Sequence, residues 1–186
     1  SKNYGIANFN GSSSRISVGQ NVNSSTFSIG AWIWNDMASG IGAVFGAGPT
    51  DIQFYVGANG LIGLYSGSGT YSSSKGNYPV PIQKWSYVTA VQAGSNVKLY
   101  VNGKLEHEGT VSGASINTNI LIGRHSKYNV EYFKGNMGEF QVYNTALTES
   151  QILQNYNATK HKYTYGLSGF WLPLNNTSTG SIDSSS

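Results

Sequence analysis

Short runs of alternating apolar and polar residues recur along this chain, separated by Asn-Gly pairs and other turn signals. Residues 52–56 and 61–65 lie on either side of Asn59-Gly60, and residues 97–101 precede a second pair at 102–103. Alternation with a period of two indicates strands, and Asn-Gly is a strong hairpin signal because both residues readily adopt positive φ. Turns spaced about 8 to 12 residues apart, with no helices between them, predict an all-β sandwich or barrel.

The run from Phe27 to Trp34 carries large side chains on both of its faces. Alternate positions place Phe27 on one face and Trp32 and Trp34 on the other. We expect this strand to be covered on both faces, which is typical of the centre of a sandwich.

The hairpin after residue 101 admits two registers. A strict two-residue loop sets Leu105 opposite Tyr100, whereas a bulged turn with Gly103 as the left-handed residue returns Leu105 to the face of Leu99. We favour the bulged turn because it keeps the aliphatic side chains together.

One helix is predicted, late in the chain and after the last strand. Thr148 and Gln151 have the spacing of a capping box, and Ile152, Leu153 and Tyr156 follow on one helical face. A single late helix in a chain of strands further restricts the fold.

Composition excludes several classes of function. Only 10% of the 186 residues are charged, the formal net charge is +3, and the few lysines and arginines are scattered. A nucleic-acid partner therefore has little support. The chain has no cysteine for disulfides or thiolate metal sites, and no apolar run long enough for membrane insertion.

Several motifs occur together in an order that resembles the laminin-G-like branch of the concanavalin A-like lectin/glucanase superfamily. They are Phe9-Asn-Gly, the run 27–34, Trp85-Ser-Tyr-Val, Lys98-Leu-Tyr-Val-Asn-Gly-Lys and the stretch 135–156. The resemblance covers roughly residues 4–158 and implies a two-sheet antiparallel jelly-roll sandwich with one short helix near the C-terminal end.

The resemblance also suggests a division of the chain. Residues 1–160 are predicted to form the laminin-G-like domain, and 161–186 a linker, a C-terminal strand and a mobile tail. Around this boundary, 158–165 is interpreted as a polar linker, and 166–174 as a short apolar strand. That strand is either the stub of a following module or pairs back onto this domain.

No catalytic residues are predicted, although the superfamily includes glucanases. Glycoside hydrolysis needs two carboxylates about 5 to 9.5 Å apart. The nearest match is Glu106-His107-Glu108, but the third acid of the glucanase pattern is absent and the segment is the return arm of a hairpin. The three histidines lack the sequence context of a nucleophile. We therefore expect a protein that is not an enzyme.

The resemblance implies one candidate cofactor, a calcium ion at the rim of the sheets. Asp51 precedes a middle strand, and Asn129 and Glu131 lie in a later loop that supplies further oxygen atoms. The alternative is that Asp51 caps a turn and the loop is merely polar. Glu139 matches a family glutamate and is expected to be structural, bonding to neighbouring backbone, whereas Gly138 replaces the usual aspartate before it.

Two polar loops have the composition of a carbohydrate-binding site. Sugars present apolar faces and hydroxyl groups, so they are bound by aromatic rings together with amides and hydroxyls. The candidate carbohydrate-binding residues are Tyr71, Asn77, Tyr78, Arg124, His125, Tyr128 and Asn129. The alternative is that these loops form an assembly interface.

The predicted function is surface adhesion or recognition of cell-surface glycans or a receptor. The expected location is an extracellular surface or a virion. Further predicted partners are other structural proteins of the particle and other copies of this chain in a homo-oligomer. The stretch 150–160 is similar to such modules in phage structural proteins. The alternative is a structural decoration or assembly module without a carbohydrate ligand.

Overall fold

The computed structural model describes residues 5–21, 24–48, 52–67, 73–112, 115–116, 119–126 and 128–164. Within these ranges the chain forms twelve strands and one helix. They are β1 (Ala7–Asn10), β2 (Ile16–Asn21), β3 (Thr26–Asn35), β4 (Ile41–Ala47), β5 (Ile52–Gly57), β6 (Ile62–Ser66), β7 (Ser73–Lys75), β8 (Trp85–Ala93), β9 (Asn96–Val101), β10 (Lys104–Thr110), β11 (Asn119–Ile122), β12 (Lys134–Tyr143) and α1 (Glu149–Thr164).

The strands form two six-stranded antiparallel sheets that pack face to face. The first has the order β1-β12-β3-β8-β9-β10, and we call it the helix-side sheet because α1 packs on its outer face. The second has the order β2-β11-β4-β5-β6-β7 and is called the loop-side sheet. Phe27, Phe45 and Phe54 belong to the fully buried core between the sheets. The predicted all-β sandwich with one helix is confirmed.

Strand β3 shows how alternation builds both sides of the helix-side sheet. Phe27 and Ile29 are completely buried in the central core. Trp32 points to the opposite face, where Tyr156 and Tyr163 of α1 stack on its ring at centroid distances of 5.6 and 4.6 Å. The prediction that this strand is covered on both faces is confirmed.

The hairpin after β9 has the strict two-residue loop, so the bulged turn that the sequence favoured is wrong. Lys104 pairs with Val101, and Leu105 pairs with Tyr100. The extra residue lies later, between Leu105 and His107.

A hydrogen-bond pair between neighbouring strands explains this register. Asn102 N–H donates to the Tyr87 carbonyl at 2.7 Å, and Tyr87 N–H donates to Asn102 Oδ1 at 2.9 Å. These bonds stabilise Asn102 at a φ of 51°, next to Gly103 at 80°. Two adjacent left-handed residues form a tight turn, which leaves no room for a bulge at this point.

The hairpin between β5 and β6 is confirmed, but its turn differs from the expected type. Val56 pairs with Ile62, and Gly60 has a φ of 78°. Asn59 does not have a positive φ; its Oδ1 instead accepts the Leu61 N–H at 3.1 Å. The loop is therefore wider than two residues.

Helix α1 begins at the predicted capping box. Gln151 N–H donates to Thr148 Oγ1 at 3.3 Å, and Thr148 N–H donates to Gln151 Oε1 at 2.9 Å. These reciprocal bonds satisfy backbone groups that the first helical turn leaves unpaired. Ile152 is fully buried, whereas Leu153 is 44% exposed and lies with Tyr156 over Gly103 of the hairpin after β9.

The helix continues to Thr164, so the interpretation of residues 158–165 as a linker is wrong for its described part. Thr159 and Tyr163, one helical turn apart, are both buried against the sheet. Thr159 Oγ1 accepts a 2.8 Å hydrogen bond from Trp32 Nε1. The three residues between them are polar, which is why the segment resembles a linker. This helix is too short and too polar to cross a bilayer, and it is the one helix in the described ranges.

Candidate functional site

The outer face of the loop-side sheet carries aromatic and amide side chains on its two central strands. In β5, Ile52 and Phe54 point into the core, so Gln53 and Tyr55 point outward. By the same alternation Tyr65 points outward from β6. We call Gln53, Tyr55 and Tyr65 the tyrosine strip.

The register of β5 and β6 places the two tyrosines as diagonal neighbours. Gln53 pairs with Tyr65 and Tyr55 with Gly63, a geometry that separates the tyrosine positions by about 7–8 Å. The Tyr55 ring packs over Gly63, where any Cβ would lie 2.9 Å from Tyr55 Cε1. The ring therefore lies low against the neighbouring strand, and both tyrosines stay partly exposed.

The loop of residues 124–131 borders the strip on the β4 side. Gly46 of β4 has no side chain, and a Cβ there would lie 2.8 Å from Arg124 O and Ser126 N. The loop can therefore lie directly on the outer face of β4, and Ala43 N–H donates to the Glu131 carbonyl at 2.9 Å where the loop ends. This arrangement positions the predicted loop residues next to β5.

The structure brings the four predicted residues of this loop together. Arg124 Nε donates to the His125 carbonyl at 3.0 Å, and Arg124 Nη1 donates to Asn129 Oδ1. His125 is only 7% exposed, and its Nδ1 accepts the Tyr128 N–H at 3.3 Å. Arg124, His125 and Asn129 thus bond within the loop, whereas half of the Tyr128 surface is open to solvent. Their proposed role in sugar binding stays a prediction.

The other predicted loop lies on the opposite side of the strip. Residues 73–75 form β7, which pairs with β6 at the edge of the loop-side sheet. Asn77 and Tyr78 follow β7 and are exposed, and Tyr71 lies outside the described residues. The two predicted loops therefore flank the tyrosine strip on either side.

A buried amide connects the strip to the 124–131 loop. Gln53 Nε2 donates to Glu131 Oε2 at 2.7 Å, and Gln53 is only 3% exposed. Burial, followed by the nearby Glu131 carboxylate, raises the pKa of Tyr55. The Tyr55 phenol therefore stays protonated at neutral pH and can donate a hydrogen bond.

A shallow open pocket of about 390 Å³ adjoins Tyr55 toward the turn between β5 and β6. We call it the Lys75 pocket. Its lining residues are Gly40, Ile41, Tyr55, Gly57, Ala58, Asn59, Leu61 and Lys75.

The predicted calcium ligands do not form a ready-made site in the described residues. Asn129 Oδ1 accepts a bond from the Arg124 guanidinium, whose charge opposes a cation there. One Glu131 oxygen is occupied by Gln53, and no cluster of three acids or histidines occurs in the described ranges. Calcium prefers six to eight oxygens, and Asp51 lies outside the description. Calcium binding therefore stays a prediction that depends on Asp51.

Glu139 has a structural partner, as expected, but the partner is a side chain of the helix. Its Oε1 lies 2.5 Å from Lys162 Nζ. Gly138 lies directly under Tyr163, and a Cβ there would be 3.1 Å from the tyrosine Cζ and closer still to its hydroxyl. The aspartate that the family resemblance leads us to expect at this position would therefore clash with the packed helix.

The acidic pair that was weighed for catalysis lies away from the tyrosine strip, on β10 at the edge of the helix-side sheet. Glu108 Oε1 is 3.7 Å from Lys98 Nζ. The strand bulges between Leu105 and His107, so Glu106 occupies the irregular position.

The tyrosine strip was not predicted from the sequence. Tyr55 and Tyr65 lie on strands, whereas the predicted site residues belong to loops. The usable signal was that the outward positions of β5 and β6 hold Gln53, Tyr55 and Tyr65 where a solvated strand usually carries charged residues.

Solved structures of several proteins have the same fold. The native heptameric SAP-like pentraxin from Limulus polyphemus matches with a TM-score of 0.65 and 18% identity, over 80% of this chain and 79% of that chain. Domain 4 of AbnA, an extracellular arabinanase from Geobacillus stearothermophilus solved with arabinotriose, matches with a TM-score of 0.59 and 21% identity, over 80% and 85%. The CBM40 of the Ruminococcus gnavus IT-sialidase, bound to sialyllactose, has a TM-score of 0.61 and 15% identity, over 77% and 97%.

At these identities the likeness shows the fold alone. No curated protein sequence matches the chain. A family model does match, over residues 10–153, which is more than half of the chain; it is the Laminin_G_3 model. With this match and the two-sheet topology, the chain belongs to the concanavalin A-like lectin/glucanases superfamily.

Proposed function

We propose that this protein is a non-catalytic recognition module that binds cell-surface glycans through the tyrosine strip. The observation that carries the proposal is the outward pair Tyr55 and Tyr65, both partly exposed, on a sheet face bordered by the two predicted loop segments.

The chemistry of the strip suits a sugar. A pyranose or furanose ring presents C–H groups that pack on an aromatic ring, and hydroxyls that exchange hydrogen bonds with amides and phenols. Tyr55 supplies both a ring and a hydroxyl, and Tyr65 supplies a second ring. Tyr78, in the segment after β7, and Tyr128, in the 124–131 loop, are further exposed aromatic residues.

Two structural relatives support the same proposal. The arabinanase domain was solved with arabinotriose and the sialidase module with sialyllactose, so this fold is able to hold oligosaccharides in those proteins. Their low identity to this chain carries over neither the sugar nor the residues.

The proposal includes display in many copies on an extracellular surface or a virion, in contact with other structural proteins of the particle. Copies held close together gain avidity, so a weak single site is sufficient for adhesion. The pentraxin relative is heptameric, which supports assembly of this chain into a homo-oligomer.

A glycan array tests the proposal with the wild type and the double variant Tyr55→Ala/Tyr65→Ala. We expect wild-type binding to a restricted set of glycans, and a loss of about tenfold or more in the variant because two ring contacts are removed. Leu105→Ala is the matched control, since it removes an exposed side chain from the other sheet. Each protein is presented multivalently so that weak contacts register.

The same array, run with calcium and with a chelator, tests the metal prediction. Binding that disappears in chelator supports a rim calcium at Asp51. Wild-type binding that survives in the double variant contradicts the strip as the site. Absence of binding to every glycan contradicts the function and favours the decoration and assembly alternative.

A further inference from the structure

The Lys75 pocket has a single charged lining residue. Lys75 pairs with Gly63, and Gly63 pairs with Tyr55, so the three positions share the outer face at one level of the sheet. Lys75 is exposed, and no ion pair joins it to any described residue. Its ammonium group is therefore available to a ligand that rests on Tyr55.

The other polar side chain of the pocket also presents a donor. Asn59 lies over Gly57, and its Oδ1 is occupied by the Leu61 N–H at 3.1 Å. Asn59 Nδ2 has no hydrogen-bond partner in the part of the chain that is described, and it remains as a donor. A pocket in which Lys75, Asn59 and Tyr55 all donate is complementary to a group that only accepts, such as a carboxylate or a sulfate.

The charged residues on the two sides of Tyr55 predict how an anionic ligand is oriented in the site. Glu131 lies on the β4 side, where it raises the Tyr55 pKa, and Lys75 lies on the β7 side. An anionic group is repelled from the first side and attracted to the second. A ligand therefore places its uncharged ring over Tyr55 and its anionic group toward Lys75.

From this arrangement we infer that the glycan is acidic, with a carboxylated or sulfated sugar whose anionic group occupies the Lys75 pocket. This inference rests on the proposed function, because it names the ligand class of the same site. Carboxylate and sulfate share the chemistry that Lys75 recognises, and the experiment below separates them.

The test compares matched oligosaccharides on one array: lactose, sialyllactose and sulfated lactose, with the same neutral, carboxylated and sulfated substitutions on the other cores. Wild-type protein should prefer one acidic member of a set over its neutral parent by about tenfold, as expected for one charge-assisted contact. The preference should weaken as sodium chloride is raised from about 50 to about 500 mM. The acidic member that binds better identifies the source of the charge.

Lys75→Gln removes the charge and keeps a side chain of similar length. It should reduce the acidic preference, measured as the ratio of acidic to neutral binding by the same variant, to about threefold or less. Lys75→Arg should keep the preference, and Lys104→Gln, a charge removal on the other sheet, is the matched control.

Three outcomes overturn the inference. If neutral glycans bind as tightly as their acidic counterparts, the proposed function stands and the acidic ligand class is wrong. If Lys75→Gln retains the full preference, the anionic group is held elsewhere. If neither neutral nor acidic glycans bind, the proposed function fails together with the inference.

Discussion

The outer faces of the two sheets both carry aromatic residues, but α1 covers these residues on one sheet only. On the helix-side sheet, Trp32 and Tyr87 are buried beneath α1, with Tyr156 and Tyr163 stacked against them. On the loop-side sheet no described helix covers Tyr55, which stays partly exposed between two polar loops.

The difference separates stability from recognition in the same architecture. Aromatic residues covered by a helix add buried area and hydrogen bonds, such as the bond from Trp32 Nε1 to Thr159. Aromatic residues left on an open face add little to folding, and their surface is available to a ligand. Substitutions in the first group should therefore affect unfolding, and those in the second should affect binding.

The greatest loss of stability should follow from a substitution on the covered face. Trp32→Ala should lower the free energy of unfolding by about 3–5 kcal/mol, because it leaves a cavity under α1 and removes three ring contacts. Urea unfolding followed by circular dichroism measures it. Tyr55→Ala is the matched control on the open face and should cost less than about 1 kcal/mol. Equal losses in the two variants would remove the distinction between the faces.

A smaller effect should follow from adding one methyl group under the helix. Gly138→Ala places a Cβ against Tyr163, so it should destabilise by about 1–3 kcal/mol. Tyr163→Phe removes the hydroxyl that has no hydrogen-bond partner among the described residues. The double variant should recover part of the loss. A double-mutant cycle from urea unfolding measures the coupling, and additive losses would contradict direct contact between the two residues.

A smaller change should appear in how the stability of the covered face depends on alkaline pH. Burial, as the largest cause, raises the pKa of Tyr87 to about 12, and burial with Glu139 also raises the pKa of Tyr163. An unfolded tyrosine titrates near 10, so the folded state binds more protons between the two values. Stability contributed by the neutral phenol is complete below pH about 10 and is lost as the pH rises toward about 12.

Tyr87→Phe should flatten that alkaline loss. Melting temperatures of wild type and variant, measured from pH 8 to 12 in steps, should show a shallower decline for the variant. Some decline should remain, because burial also raises the pKa of Tyr100 to about 12. Parallel curves would show that the Tyr87 phenol does not contribute to the alkaline loss.

The sequence predicted the elements whose signals are local. The alternation of β3, the Asn59-Gly60 hairpin and the capping box at Thr148 depend on residues within a few positions of one another, and all are confirmed. The register after Asn102 was wrong because it is decided by Tyr87, fifteen positions away on a neighbouring strand.

Prediction of the candidate site was partial for the same reason. Composition identified two polar loops, and the fold places both beside one sheet face. The strip between them was missed, because nothing local shows that Tyr55 lies on an uncovered face while Trp32 lies on a covered one. Both residues lie in strands whose neighbouring positions alternate between the core and the outer face.

Local signals are enough to predict a sandwich of alternating strands with one late, capped helix, because period, turn residues and caps act over short distances. Which outer face the helix covers depends on contacts between distant parts of the chain. The helix extends through a polar segment because Thr159 and Tyr163 contact Trp32 on the outer face of the sheet. Gly138 has no side chain, so Tyr163 can pack directly on the strand. That contact buries one aromatic face and leaves Tyr55 and Lys75 on the other, where a ligand can reach them.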